Sequence, residues 1–235
     1  MPVETTTQIV DYRNEPWFRR LYLPTYAITD AARYTQTHPR TVLNWYFGEK
    51  PILPERLRRT PLNYLQLVEM AFVAFFRRMH IPMHKIRTAR QFIAANFGEE
   101  YPLTLYKFKT EGYHILMEYL QFEQANEFNR VIAADKNGQL AWDSVIGEKF
   151  AEFDYEYEIA LRWHPAGRQS LVLVDPRISF GAPMVTGIPT WVLRGRWKAG
   201  ETPEEIREEF GLTHEAVRDG LRFEGIKLNS DSVLG

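Results

Sequence analysis

The sequence predicts an α+β protein with three parts: an N-terminal helix-turn-helix with a basic wing, a small central antiparallel β-sheet, and a C-terminal three-helix module of helix-turn-helix spacing. Three observations carry this. Two short helical patterns over residues 29–47 meet at a tight polar turn. The hydrophobic period then changes from helical to alternating between about residues 104 and 174. Beyond Asp175-Pro176 the start and stop signals of three closely spaced helices follow one another. These divide the 235 residues into an arm (1–24), a DNA-binding-type head (25–100), a central α+β segment (101–174) and a C-terminal helical domain (175–235).

Residues 1–24 carry Pro2, Pro16 and Pro24 with few periodic apolar positions, and read as an arm. A first helix begins near Thr29 and runs through Ala31, Ala32 and Tyr34. A second follows Thr37-His38, with Pro39 near its first turn, where the missing N–H is not needed. Val42, Trp45 and Tyr46 form its inward stripe, and Arg40, Thr41 and Asn44 are left outside. The spacing of Leu65, Val68, Phe72, Val73 and Phe76 predicts a strongly apolar helix ending before His80. Pro82 opens another, which Gly98 closes.

In the central segment, Thr104–Lys109 and His114–Glu118 are predicted strands joined around Glu111-Gly112, and Asn137-Gly138 a sharp turn. Residues 141–153 are a predicted amphipathic helix, and Ile159–Trp163 and Ser170–Val174 predicted paired strands. The last block starts with a glycine- and proline-punctuated ribbon. A helix over 190–199 comes next, then a capping box at Thr202-Pro203-Glu204-Glu205 opening helix 203–210, and helix 214–223 capped by Thr213.

Charge separates by region. Residues 1–90 hold 14 Lys+Arg against 7 Asp+Glu, a net of +7, and residues 91–235 hold 15 against 23, a net of −8. A polyanion is attracted to the first third and repelled by the rest. On the second helix, His38, Arg40, Thr41 and Asn44 are candidate DNA contacts, because arginine pairs bidentately with guanine and asparagine with adenine. Arg56, Arg58 and Arg59 in the following loop are placed like a wing that grips phosphates. The competing reading is a helical hairpin with a solvated basic face. Helices 203–210 and 214–223 are not expected to read DNA: Glu204, Glu205, Glu208 and Glu209 crowd the helix that would cross the backbone, against Arg207 alone.

Other chemistry is poorly supported. With 45% hydrophobic and 25% charged residues, widespread disorder is not expected. There is no cysteine, hence no disulfide or thiolate metal site, which agrees with a cytoplasmic protein. No signal-peptide core and no apolar run of spanning length is present, so no membrane role is expected. His80-x-x-x-His84 has the interval of a helical zinc pair, but Pro82 intervenes and no glutamate follows His80. Asp154, Glu156 and Glu158 alternate like a solvated strand edge. No phosphate-cradling or nucleophile-elbow sequence occurs, so neither a catalytic site nor a resident metal or cofactor is expected.

Two stretches resemble known families. ITDAARYTQTHPRTVLNWYFG followed by LNYLQLVEMAFVAFFRRMHIPMHKIRTA resembles the helix-turn-helix, wing and following helices of MerR-like regulators over about residues 25–95. The chain departs from metal-sensing members, having no cysteine ligand, and it lacks their long C-terminal dimerisation helix. The block DPRISFGAPMVTGIPTWVLRGRWKAGETPEEIREEFGLTHEAVRDGLRF is similar to a short domain family that recurs in bacterial antitoxins. A MerR-like head followed by this domain resembles a VapB-type antitoxin family whose partner is a PIN-domain ribonuclease.

That resemblance implies two linked roles, masking the toxin and binding the operator of its own operon; the chain is expected to form a homodimer, whose two heads on a two-fold axis read a palindrome. Trp191, Arg194, Arg196 and Trp197 interleave aromatics with cations as interface anchors do, and are candidate toxin contacts. In the plainer alternative the tryptophans are core and the cations pair with the glutamates of the next helix. A free-standing MerR-like transcriptional regulator, whose C-terminal module senses a ligand or only dimerises, is the alternative function.

Overall fold

The polypeptide of this computed structural model is described over residues 12–49, 51–52, 60–112, 114 and 136–228. Helices and short antiparallel sheets alternate along it, in agreement with the α+β expectation. Helix α1 (Pro16–Arg20) already belongs to the packed body: Leu21 behind it is fully buried, and Trp17 and Phe18 pack on the main core. The arm expected over residues 1–24 is therefore folded from residue 12 onward. The prolines drew the reading away from Trp17, Phe18 and Leu21, whose spacing already spells one helical face.

Helices α2 (Ile28–Tyr34) and α3 (Pro39–Phe47) are joined by Thr35–His38. The turn is held from inside, with Thr37 N donating to Ala32 O at 2.7 Å and Thr35 Oγ1 to Ala31 O at 2.9 Å. Arg78 reaches across to donate to Thr35 O at 3.0 Å. Ala31, Ala32, Val42, Trp45 and Tyr46 form the buried side. The chain returns to pair Tyr26 with Leu62, their backbone bonds being 2.9 and 2.7 Å, which closes the loop after α3.

Helix α4 (Tyr64–Arg78) is the axis of the molecule, with every residue from Tyr64 to Phe76 buried. Its start is fixed by a reciprocal cap: Asn63 Oδ1 accepts from Gln66 N at 2.8 Å, and Gln66 Oε1 accepts from Asn63 N at 3.1 Å. Helix α5 (Met83–Phe97) ends at left-handed Gly98. Buried Glu69 on α4 pairs with Arg90 on α5 and accepts from Leu103 N at 2.9 Å. A charge pair this deep survives because its lone pairs are filled.

The strand expected over Thr104–Lys109 does not form. A 3₁₀ turn covers Pro102–Thr104 and a π-type turn Phe108–Gly112, with one bridge between Leu105 and Ile159. Pro102 presets a helical φ, and Thr104 Oγ1 donates to Tyr101 O at 2.7 Å, a local bond that competes with a ladder. The second predicted strand, His114–Glu118, lies outside the described residues except for His114, which is helical. Asn137-Gly138 is not a turn either: it starts helix α6 (Lys136–Ala151), whose Ile146 and Phe150 enter the core.

Strands β1 (Phe153–Glu156) and β2 (Ile159–Trp163) make a hairpin closed by Tyr157 and Glu158, both at positive φ as a two-residue turn requires. Strand β3 (Val172–Leu173) pairs with β4 (Met184–Val185), and β4 with β5 (Ile188–Pro189). The expected pairing of 159–163 with 170–174 thus shrinks to one bridge, Trp163 with Val174. Helices α7 (Thr190–Lys198), α8 (Pro203–Phe210) and α9 (His214–Phe223) follow at the predicted places, and the Thr202–Glu205 capping box is present. They enclose a second core of Val172, Val185, Leu193, Ile206, Val217 and Leu221. Gly220 lets α9 press on that core, since a Cβ there would collide with Leu193.

Candidate nucleic-acid interface and the junction behind it

Helix α3 shows one face to the core and the other to solvent. Val42, Trp45 and Tyr46 are buried; Arg40 and Asn44 are exposed and Thr41 half-buried. The two exposed side chains lie four residues apart, one above the other on the same face. Leu43 is exposed beside them, an apolar group suited to a thymine methyl that was missed because leucine reads as core. His38 has a structural role. As the N-cap of α3, its Nδ1 accepts from Arg40 N at 3.2 Å, which leaves Nε2 to face outward. Arg56, Arg58 and Arg59 fall outside the described residues.

A cleft of about 480 Å³ runs beside this face, between Thr41, Asn44 and Gly48 on one side and Arg77, Met83 and Arg87 on the other. Arg77 is exposed and anchored by donation to Ile81 O at 2.7 Å; the Nε of Arg87 is buried without a hydrogen-bond partner. Arg78, His84 and Lys85 stand on the same α4–α5 elbow. Sequence reading passed over this basic flank, although its signal was present: no Asp or Glu occurs between Glu69 and Glu99. The apolar helix pattern drew attention to the buried side of the elbow instead.

Behind α2 lies a junction with the C-terminal helices. Glu224, its side chain only 1% exposed, accepts from Arg33 Nη1 at 2.6 Å, Arg194 Nη1 at 3.0 Å and buried Thr190 Oγ1 at 2.6 Å. Tyr34 of α2 stacks on Phe223 of α9 with ring centroids 5.5 Å apart, and the Arg33 guanidinium lies 5.0 Å from the Tyr34 ring. Burial, with Asp30 adding to it, pushes the Tyr34 phenol up to about 12, so it is neutral there.

The junction decides where the sequence-predicted interface cations point. Arg194 is turned to Glu224, and Arg196 pairs with Glu201 at 3.2 Å and with Glu209. Trp197 is half-buried against the second core, whereas Trp191 is exposed. The four candidate residues are therefore not displayed together. The plainer reading, cations paired with neighbouring glutamates, describes Arg196.

A further charged ladder lies on the hairpin. Asp154 pairs with Arg162 at 3.1 Å and with Arg168, and His164 Nε2 stands 3.5 Å from it. Burial alone would raise Asp154, but the hydrogen bond and charge of Arg168, then Arg162, outweigh it and hold the carboxyl below its usual value. Burial and Arg168 lower His164.

The described residues define an α+β protein whose helix α3 turns Arg40 and Asn44 to solvent and whose helix α2 is tied to a compact helical module through Glu224 and Phe223; no helix among them is long and apolar enough to cross a membrane. Residues 172–223, the second core and its ribbon, match the family described as "Protein of unknown function (DUF433)". Across 231 residues the chain is 23% identical to a Mycobacterium tuberculosis protein named as a candidate antitoxin, VapB45, covering 86% of this chain and 94% of that one. Its fold is similar to the crystal structure of Rv2018 from Mycobacterium tuberculosis, with a TM-score of 0.67 and 21% identity over 86% of this chain and 99% of that chain.

Proposed function

We propose that this protein is the antitoxin of a type II toxin–antitoxin system: it neutralises a PIN-domain ribonuclease and, as a homodimer in the cytoplasm, binds operator DNA to repress its own operon. It has no catalytic activity of its own and needs no cofactor. The observation that carries this reading is the likeness to the VapB45 protein along nearly the full length of both chains. The outward side chains of α3 and the acid-free elbow beside it support the DNA-binding half, in a MerR-like helix-turn-helix with α3 as the reading helix. Two copies on a two-fold axis would read a palindrome.

Co-expression with the product of the neighbouring open reading frame tests the first half: the protein relieves growth arrest and co-purifies with that product, and failure of both defeats the antitoxin reading. For the second half, Arg40→Ala relaxes sequence selection on operator DNA, while Arg58→Ala weakens all sequences alike. Equal and negligible effects defeat the docking geometry. A regulator that senses a small ligand draws on a different observation, a cavity of about 380 Å³ between α2 and α9 lined by Arg33, Tyr34, Ser170, Asp219 and Arg222. It would bind its operator alone and ignore the ribonuclease.

A further inference from the structure

We infer that Phe180, held out by the loop between β3 and β4, is the anchor by which this protein grips an acidic protein partner, and that this loop rather than α7 is the partner-contacting surface. The inference rests on the antitoxin reading and names the surface of contact within it.

Phe180 is 69% exposed, the most exposed of the large hydrophobic side chains described, and Ile178 two residues earlier is also exposed. The backbone beneath them is held in an unfavourable shape. Ser179, Phe180 and Gly181 have φ of +47°, +54° and +75°, three left-handed residues in succession, of which only the glycine adopts that region freely. A bulky aromatic at positive φ persists only where its surroundings over-determine it, and such strain gathers at ligand-contacting sites.

The surroundings do so from both ends. Tyr26 Oη, from the head, donates to Gly181 O at 3.1 Å, and a Cβ at position 181 would run into that hydroxyl. Arg20 Nη1 donates to Arg177 O at 2.7 Å. Arg177 in turn is clamped by Asp175 and by Glu156, each at 2.7 Å. The loop is thus a rigid pedestal, and nothing in its internal bonding requires a phenyl ring at the tip.

Charge selects the partner. The carboxylates near the loop are spent on Arg177, whereas the Arg20 guanidinium sits 5.8 Å from the Phe180 ring and, like exposed Arg19, has no carboxylate partner among the described residues. An aromatic knob beside an arginine is the composition of an interface hot spot, and it fits an apolar socket rimmed by acidic groups. A nucleic acid fits less well, because Arg177 is already neutralised and phosphates reward cations rather than a phenyl ring.

The test uses the full chain and the PIN-type ribonuclease of the proposed function, with binding, operator affinity and melting temperature measured for each variant. Phe180→Ala weakens ribonuclease binding by about 30-fold and leaves operator affinity unchanged. Phe180→Gly removes the strain and melts higher than wild type, yet loses binding to the same extent. Ser179→Gly, which keeps the ring and the loop shape, binds like wild type. Wild-type affinity in Phe180→Gly, or loss confined to Trp191→Ala, overturns the inference while the antitoxin reading stands. Loss of operator affinity instead of ribonuclease binding overturns it in favour of a nucleic-acid contact. If wild type itself ignores the ribonuclease, the antitoxin reading and this inference fall together.

Discussion

Glu224 is a single carboxylate on which two halves of the molecule meet. Its side chain is out of water, and it compensates Arg33 from α2 and Arg194 from α7 while accepting from Thr190. Removing its charge leaves Arg33 with only Asp30, 3.5 Å away on its own helix, and takes from Arg194 its ion pair with Glu224, beside an apolar ring stack. For a fully buried pair such a loss is about 3–5 kcal/mol; Arg33 and Arg194 keep partial access to solvent, so Glu224→Gln is expected to cost about 2 kcal/mol. Urea unfolding reads this as a lower midpoint, and an unchanged midpoint would show that the hub carries no weight. Asp154 makes a pH-dependent claim. Its folded-state value is depressed by Arg168 and Arg162, so the ladder's contribution is present above the unfolded aspartate value of about 3.9 and is lost as pH falls through the folded value. Wild type should exceed Asp154→Asn by about 1 kcal/mol at neutral pH, with the gap closing in acid. At this scale the sequence is legible where spacing alone sets direction, as for Arg40 and Asn44. It is opaque where a distant residue sets it: Phe180 stands out because Tyr26 and Arg20 hold its loop.

Elements that carry their own punctuation were readable. The Thr202–Glu205 box, Pro203 at the first helical position and left-handed Gly211 bound α8 where the sequence places it, because each acts within one turn of the helix it limits. The strand expected at Thr104–Lys109 failed for the complementary reason. A strand needs a partner, the one bridge there among the described residues joins Leu105 to Ile159, and local turns around Pro102 and Thr104 take its residues instead. Asn63, the cap of α4, was overlooked because it is buried and its box partner is Gln66 rather than the commoner glutamate. Since α4 is the axis of the main core, Asn63→Ala should cost about 1–2 kcal/mol through the unsatisfied first-turn amides, measurable in chemical denaturation. A loss indistinguishable from zero would mean that the neighbouring Tyr101 hydroxyl, 3.4 Å from Asn63 Nδ2, takes over the cap.

On the scale of the whole molecule, charge is arranged by region more sharply than the net value of −1 conveys. The stretch between Glu69 and Glu99 has no acid, and it folds into an elbow whose Arg77 and Arg87 flank the same cleft as Thr41 and Asn44 of α3. In the proposed complex the exposed face of α3 addresses base edges and the elbow addresses the phosphate backbone, two kinds of contact with different signatures. Phosphate contacts release counterions, so the logarithm of operator affinity should fall linearly with the logarithm of salt concentration, by about 0.9 per phosphate neutralised. Arg77→Ala should reduce that slope by about one without changing the preferred sequence. Arg87→Ala should do the same, since Arg87 lines the same cleft. Asn44→Ala should leave the slope nearly intact and relax the preference at one base position. Titrations of operator and scrambled duplexes at several salt concentrations separate the two effects. If the elbow variants keep the wild-type slope, the basic flank is a solvated surface and DNA engages α3 from another direction.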